Sequence, residues 1–179
     1  MPLYKKRLRL PERDYLGRRV YFITICTENR ATFFLKSATA YWILEELIAT
    51  AAQFTFALHA YCIMPDHLHF LSEALADTCD LIKLVNGFKQ CTAYEYSKTQ
   101  ATRLWQIRYY DHVLRSNDSI EDIACYIWWN PARKGLCAKP QEYAFSGSQT
   151  IDWMKCISIA PRWTPPWKQA VGAGLQPGV

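Results

Sequence analysis

The stretch Met64-Pro65-Asp66-His67-Leu68-His69-Phe70-Leu71 constrains this chain more than any other. Two histidines separated by one apolar residue sit within an otherwise apolar run. In an extended strand alternate side chains share a face, so His67 and His69 project together while Leu68 and Phe70 point the other way. Burying Leu68 and Phe70 in a core holds the strand and leaves both imidazoles on one rigid surface, already aimed at a divalent cation. The pair alone is a weak signal, because strand histidines also serve as ordinary cross-strand polar residues. Other groups have to reach the same place.

The flanking sequence supplies the frame. Residues 20–26 are β-branched and aromatic and predict a strand. Trp42, Ile43, Leu47 and Ala51 recur at helical spacing within 37–52. A second strand is predicted over 57–63, and Pro65-Asp66 is a turn signal leading into the histidine strand. A second helix is expected over 77–98, buried through Leu81, Leu84, Val85 and Phe88, and an extended run over 109–114. Ser116-Asn117-Asp118-Ser119 offers N-caps for a third helix that ends near Asn130-Pro131. The order β, α, β, β, α, β, α predicts an α+β, ferredoxin-like antiparallel sheet with its long helices packed on one face, leaving the other to the histidines. At 179 residues the chain reads as one domain over 1–150 with a basic N-terminal arm. Residues 151–179, rich in proline and late glycines, read as an irregular extension.

Charge narrows the class of partner. Lys and Arg number 21 against 16 acidic residues, and the excess gathers in Lys5, Lys6, Arg7, Arg9, Arg13, Arg18 and Arg19. Such an arm fits either a polyanion partner or a solvated tail, and charge alone does not separate them. The seven cysteines contain no C-x-x-C pair, which argues against structural zinc and a disulfide framework and points to a reducing compartment. No signal peptide or long apolar run is seen, so the expectation is a cytoplasmic protein without a membrane span.

The third helix carries the remaining chemistry. Tyr126 and Asn130 lie four residues apart and share a face with Asp122, while Ile120, Ile123, Ala124 and Ile127 form an apolar stripe that can dock the helix. A phenol, with a pKa of about 10, is a poor nucleophile at neutral pH. A metal that polarises a phosphodiester beside it makes attack feasible. The competing reading of Tyr126 is a half-buried aromatic with a satisfied hydroxyl.

Taken together the motifs resemble a known family. Met64 to Leu71 is similar to the HUH motif (His, hydrophobic, His) of single-tyrosine transposases. Tyr126-Ile127-Trp128-Trp129-Asn130-Pro131-Ala132-Arg133-Lys134-Gly135-Leu136 closely resembles the Y-I-x-x-N-P-x-R-x-G-L signature of REP-associated tyrosine transposases. Trp105-Gln106, the block Tyr109 to Arg115 and the strand Tyr21-Phe22-Ile23-Thr24 resemble further family blocks, so the resemblance spans about residues 3–150 in the family's order. It implies His67 and His69 as metal ligands, Tyr126 as nucleophile and Asn130 as an amide-oxygen ligand, with Mg²⁺ or Mn²⁺ as the metal. The implied reaction is transesterification on single-stranded DNA at REP (repetitive extragenic palindrome) hairpins. Tyr126 would form a 5′-phosphotyrosine link, releasing a 3′-hydroxyl. The subgroup implies a monomer, with a helix-exchanging dimer as the alternative.

For hairpin DNA the expected phosphate contacts are Lys5, Lys6, Arg7, Arg9, Arg18 and Arg19, then Arg115 and Arg133 beside the tyrosine helix, then Lys83 and Lys89. Trp128 and Trp129 could pack the helix or stack on bases. Trp163 and Trp167 could dock on the body or reach nucleic acid. His59 and His112 read as structural. Tyr96, with Gln100 four residues on, mimics the nucleophile spacing but lacks the signature, and Tyr109 and Tyr110 have no partner at helical spacing. Two other functions compete: a REP hairpin-binding protein without strand transfer, and a nucleotide hydrolase with three alternating histidines. Leu71 at the third alternate position argues against the hydrolase.

Overall fold

A computed structural model describes residues 12–157 and 161–165. Within them β1 (Val20–Cys26), β2 (Phe56–Met64), β3 (His67–Ala74), β4 (Tyr110–Val113) and β5 (Ser146–Gly147) form one sheet in the order β4-β1-β3-β2-β5. Every pairing is antiparallel. The histidine strand β3 is central, with both edges bonded, so its side chains are held by pairing on either side.

Two cores lie on opposite faces of the sheet. On one, α1 (Ser37–Gln53) and α2 (Leu81–Ser97) bury Ile43, Leu47, Leu84 and Phe88 against Ile23, Ile25, Leu68 and Phe70. This is the α+β arrangement the element order predicts, long helices together on one face. On the other, α3 (Ile120–Trp128) buries Ile123, Ala124 and Ile127 against Phe22, Ala60, Cys62, Met64 and Leu71. Each fully buried large apolar side chain contributes roughly 1.5–3 kcal/mol relative to exposure. The face left open by the sequence expectation is therefore partly roofed, by the helix that carries Tyr126.

Local chemistry sets the boundaries. The Asp80 carboxylate accepts from the amides of Ile82 and Lys83 at 2.9 and 3.2 Å, so α2 starts at Leu81 rather than at the expected residue 77. Ser119 Oγ accepts from the Asp122 amide at 3.1 Å and starts α3, one of the N-caps anticipated. Trp129 keeps helical angles (φ −77°, ψ −7°), so the chain runs on into a single turn, α4 (Asn130–Arg133), where Pro131 sits in the first turn and removes no needed donor. Tyr126, Asn130 and Arg133 thus stay on one continuous helical path.

Two features had no clear sequence signal. In β2, Leu58 opposes Ser72 while Ala60 opposes Leu71, so His59 is the extra residue of a β-bulge. The bulge sends Leu58 to the α1–α2 core and Ala60, Cys62 and Met64 to the α3 side. The two-residue strand β5 is fastened by the fully buried Trp128, whose indole Nε1 donates to the Gly147 carbonyl at 2.9 Å. A further turn, α5 (Trp153–Cys156), brings Trp153 to 5.7 Å from Trp128, centroid to centroid. No helix among the described residues is long and apolar enough to cross a membrane.

Trp128→Ala removes a fully buried indole and its carbonyl bond together. It should lower unfolding free energy by about 3–5 kcal/mol, read as a shifted midpoint in urea denaturation.

Candidate active site

His67 and His69 project from β3 toward α3, as strand alternation requires. Their Nε2 atoms stand 3.0 Å apart, with the rings nearly perpendicular at 81°. The other nitrogen of each ring is held from behind. His67 Nδ1 bonds the carboxylate of Asp66, and His69 Nδ1 lies 2.7 Å from Thr24 Oγ1 on the adjacent strand β1. The hydrogen bond to His67 keeps the Asp66 carboxyl below its ordinary pKa.

An ionised carboxylate only accepts, so His67 carries its proton on Nδ1 and offers a lone pair at Nε2. With both rings neutral and no cation between them, His69 donates from Nε2 and the Thr24 hydroxyl donates to its Nδ1. With a cation, His69 moves its proton to Nδ1 and donates to Thr24, freeing both lone pairs. Two donors about 2.1 Å from an octahedral cation and at right angles lie about 3.0 Å apart. The pair therefore fits a divalent metal in spacing and in donor chemistry, with back-side partners of the kind that orient metal-binding imidazoles. Among the described residues no cluster of three His, Cys, Asp or Glu forms.

Tyr126 is delivered to this spot by α3. Its ring centroid is 6.4 Å from that of His69 and 6.2 Å from Phe22, and the residue is 4% exposed. Burial pushes the phenol pKa up, and Arg133 opposes the shift. Trp163 of the C-terminal segment packs edge-on at 5.0 Å from Tyr126 and 5.4 Å from Phe22. Of the two fates open to it, docking on the body is the one realised. Asn130 is buried one turn beyond Tyr126, where its Oδ1 accepts from Arg133 Nη2 at 2.8 Å. It hydrogen-bonds neither imidazole, and its Nδ2 is buried with no partner among the described residues. Oδ1 retains a second lone pair.

The expected DNA contacts divide by position. Lys5, Lys6, Arg7, Arg9 and Trp167 lie outside the described residues. Arg18 and Arg19 make loose ion pairs with Asp77 and Asp14 at 3.5 and 3.9 Å, too exposed to hold them from a phosphate. Arg115 is exposed in the loop between β4 and α3. Lys83 and Lys89 stand on α2, across the sheet from the histidines, and Lys89 Nζ is spent on the carbonyls of Gln106 and Ile107 at 2.7 and 2.9 Å. Arg133, though exposed, folds its guanidinium back over Tyr126 and Asn130. His59 bonds Thr150 and Glu73, and His112 bonds Asp118, so both serve the fold. Tyr96 and Gln100 line a groove with Trp42 beside α1, remote from the pair. Thr24, Asp66 and Phe22 complete the site. Asp66 stands next to His67 in sequence, and Phe22 and Thr24 lie in the strand that resembles a family block, but their contacts with the pair require the strand register.

Comparison with known proteins identifies the family and the fold. The family model of IS200-like transposases matches residues 18–130, and the chain belongs to that family. A Haemophilus influenzae protein assigned as a REP-associated tyrosine transposase is 26% identical over 149 residues, covering 75% of this chain and 82% of its own. The REP-associated tyrosine transposase of Escherichia coli is 23% identical over 150 residues, covering 79% and 88%. In fold the chain is similar to a REP-associated tyrosine transposase solved bound to a REP hairpin, with a TM-score of 0.64, 20% identity and 82% of each chain covered. The resemblance drawn from the motifs is thus met by family, relatives and fold.

Thr24→Val removes the acceptor behind His69 Nδ1 and should weaken Mn²⁺ binding about 10- to 100-fold, read by electron paramagnetic resonance titration of free Mn²⁺.

Proposed function

We propose that this transposase cleaves single-stranded DNA at REP hairpins and transfers the strand through a covalent 5′-phosphotyrosine intermediate on Tyr126, using Mg²⁺ or Mn²⁺. The observation that carries the reading is the ring of Tyr126 set beside His69, whose Nε2 converges with that of His67. Membership of the transposase family and the fold shared with a hairpin-bound relative support it.

In this reading His67 and His69 hold the cation and Asn130 Oδ1 is the third protein ligand, through the lone pair that Arg133 leaves unused. The bound cation supplies a Lewis acid that makes phosphorus more electrophilic and steadies charge on its oxygens. Mn²⁺ suits two imidazoles at least as well as Mg²⁺, which prefers oxygen. Tyr126 Oη attacks phosphorus, the bond to the 3′-oxygen breaks, and that oxygen leaves as a hydroxyl. Attack by a 3′-hydroxyl on the phosphotyrosine reverses the exchange and rejoins strands. One phosphodiester replaces another, so no energy source is consumed. DNA reaches Tyr126 only after Trp163 yields its place. Residues 1–150 form the working domain, a monomer acting in the cytoplasm, and 151–179 are the extension that supplies Trp163.

The second reading, hairpin binding without transfer, draws on the enclosure of Tyr126 beneath Trp163. The experiment separating them incubates the protein with 5′-tailed REP DNA and Mn²⁺ or Mg²⁺. Strand transfer predicts a covalent protein–DNA adduct that Tyr126→Phe abolishes while still binding the hairpin. A wild type that binds without forming adduct assigns the chain to binding alone, and an adduct surviving in Tyr126→Phe assigns the nucleophile elsewhere.

The arm is tested separately. Deleting residues 1–9 removes Lys5, Lys6, Arg7 and Arg9, and should lower the slope of log affinity against log salt by about 0.9 for each phosphate the arm neutralises. An unchanged slope in mobility-shift titrations makes the arm a solubility element.

A further inference from the structure

Arg133 is an exposed cation of the signature helix whose guanidinium folds back onto that helix. Its Nη2 donates to the Tyr126 carbonyl at 2.9 Å and to Asn130 Oδ1 at 2.8 Å. The guanidinium carbon lies 4.1 Å from the centroid of the Tyr126 ring. The spacing explains the contact: Arg133 follows Asn130 by three residues and Tyr126 by seven, so on a continuous helical path the three share one face. A planar guanidinium can lie on an aromatic face while its edge hydrogens bond in the same plane, which an ammonium cannot do.

Three consequences follow from that seat. The N–H groups bound to the Tyr126 carbonyl and Asn130 Oδ1 are not available to a phosphate. Because Arg133 only donates, Asn130 must turn its oxygen toward it, so the carboxamide has one orientation. And a positive charge is held 4.1 Å from the centre of the Tyr126 ring.

We propose that Arg133 is the positioning residue of the strand-transfer reaction, holding the Tyr126 ring and the Asn130 carboxamide in register and balancing the negative charge on Tyr126 Oη. The proposal rests on the strand-transfer reading above. That charge arises twice: when the phenol gives up its proton and its oxygen bonds to phosphorus, and when the same oxygen departs as a 3′-hydroxyl attacks. In this role Arg133 makes no bond to the reacting atoms. It acts through Tyr126 and Asn130.

The test compares Arg133→Lys, Arg133→Gln and Arg133→Ala in the full chain. The rate of adduct formation is measured at saturating REP hairpin with Mn²⁺, and hairpin affinity across salt is measured for each variant on a Tyr126→Phe background. Expected is an adduct rate about 10- to 100-fold lower in Gln and Ala, a clearly smaller loss in Lys, and affinity and salt slope within twofold of the parent. Millimolar guanidinium ion should restore part of the rate to Arg133→Ala. Because that rescue compares one protein sample with itself, it is independent of how well the variant folds. Equal losses in Lys and Gln with no rescue would overturn the charge role, and a salt slope lower by about one with the saturated rate unchanged would make Arg133 a phosphate contact. A wild type that forms no adduct fails at the earlier step and overturns the strand-transfer reading itself, and the proposal with it.

Discussion

The approach of His67 Nε2 to within 3.0 Å of His69 Nε2 is sustained by the placement of β3 between β1 and β2. An edge strand could twist or slip, and a slip of one residue would exchange the histidines for Leu68 and Phe70. Pairing on both sides prevents this, with His69 opposite Thr24 of β1 and Cys62 of β2. Leu68 and Phe70, fully sunk beneath α1 and α2, add the apolar penalty for any other register. The same strand thus anchors the core with one set of side chains and presents the imidazoles with the other.

Everything brought to the pair comes from outside β3 and is held by different forces. Thr24 arrives by main-chain pairing, Asp66 by the turn before the strand, and Tyr126 by the burial of Ile123, Ala124 and Ile127 against the sheet. The apolar stripe of α3 therefore does for the phenol what Leu68 and Phe70 do for the histidines. The Trp128 indole, tied to Gly147, keeps the helix from sliding along the face it covers. Arg133 then links Tyr126 to the Asn130 carboxamide one turn on, so the helix delivers a preassembled group rather than a lone tyrosine.

The strands, the two long helices and their common face could be read from periodicity, because burial on one side imposes periods of 2 and 3.6 on the sequence. Tyr126 and Asn130 were legible for a related reason: one helical turn of separation places them together whatever surrounds the helix. The bulge at His59 and the two-residue β5 were not legible, since one extra residue or one short ladder leaves no periodic trace. How the cations are held was not legible either: Lys89 is fastened to loop carbonyls and Arg133 is folded over an aromatic ring, contacts that local sequence does not specify.

By itself the sequence determined which side chains share a face and which belong to one helical path, because those relations depend only on local backbone geometry. What the tertiary structure alone decided is which faces meet: that Thr24 stands behind His69, that α3 lies over the histidines rather than beside α1, and that Trp163 closes over Tyr126. Those contacts join residues dozens of positions apart. They are chosen by strand register and by the burial of surfaces against one another, neither of which any local stretch of sequence contains.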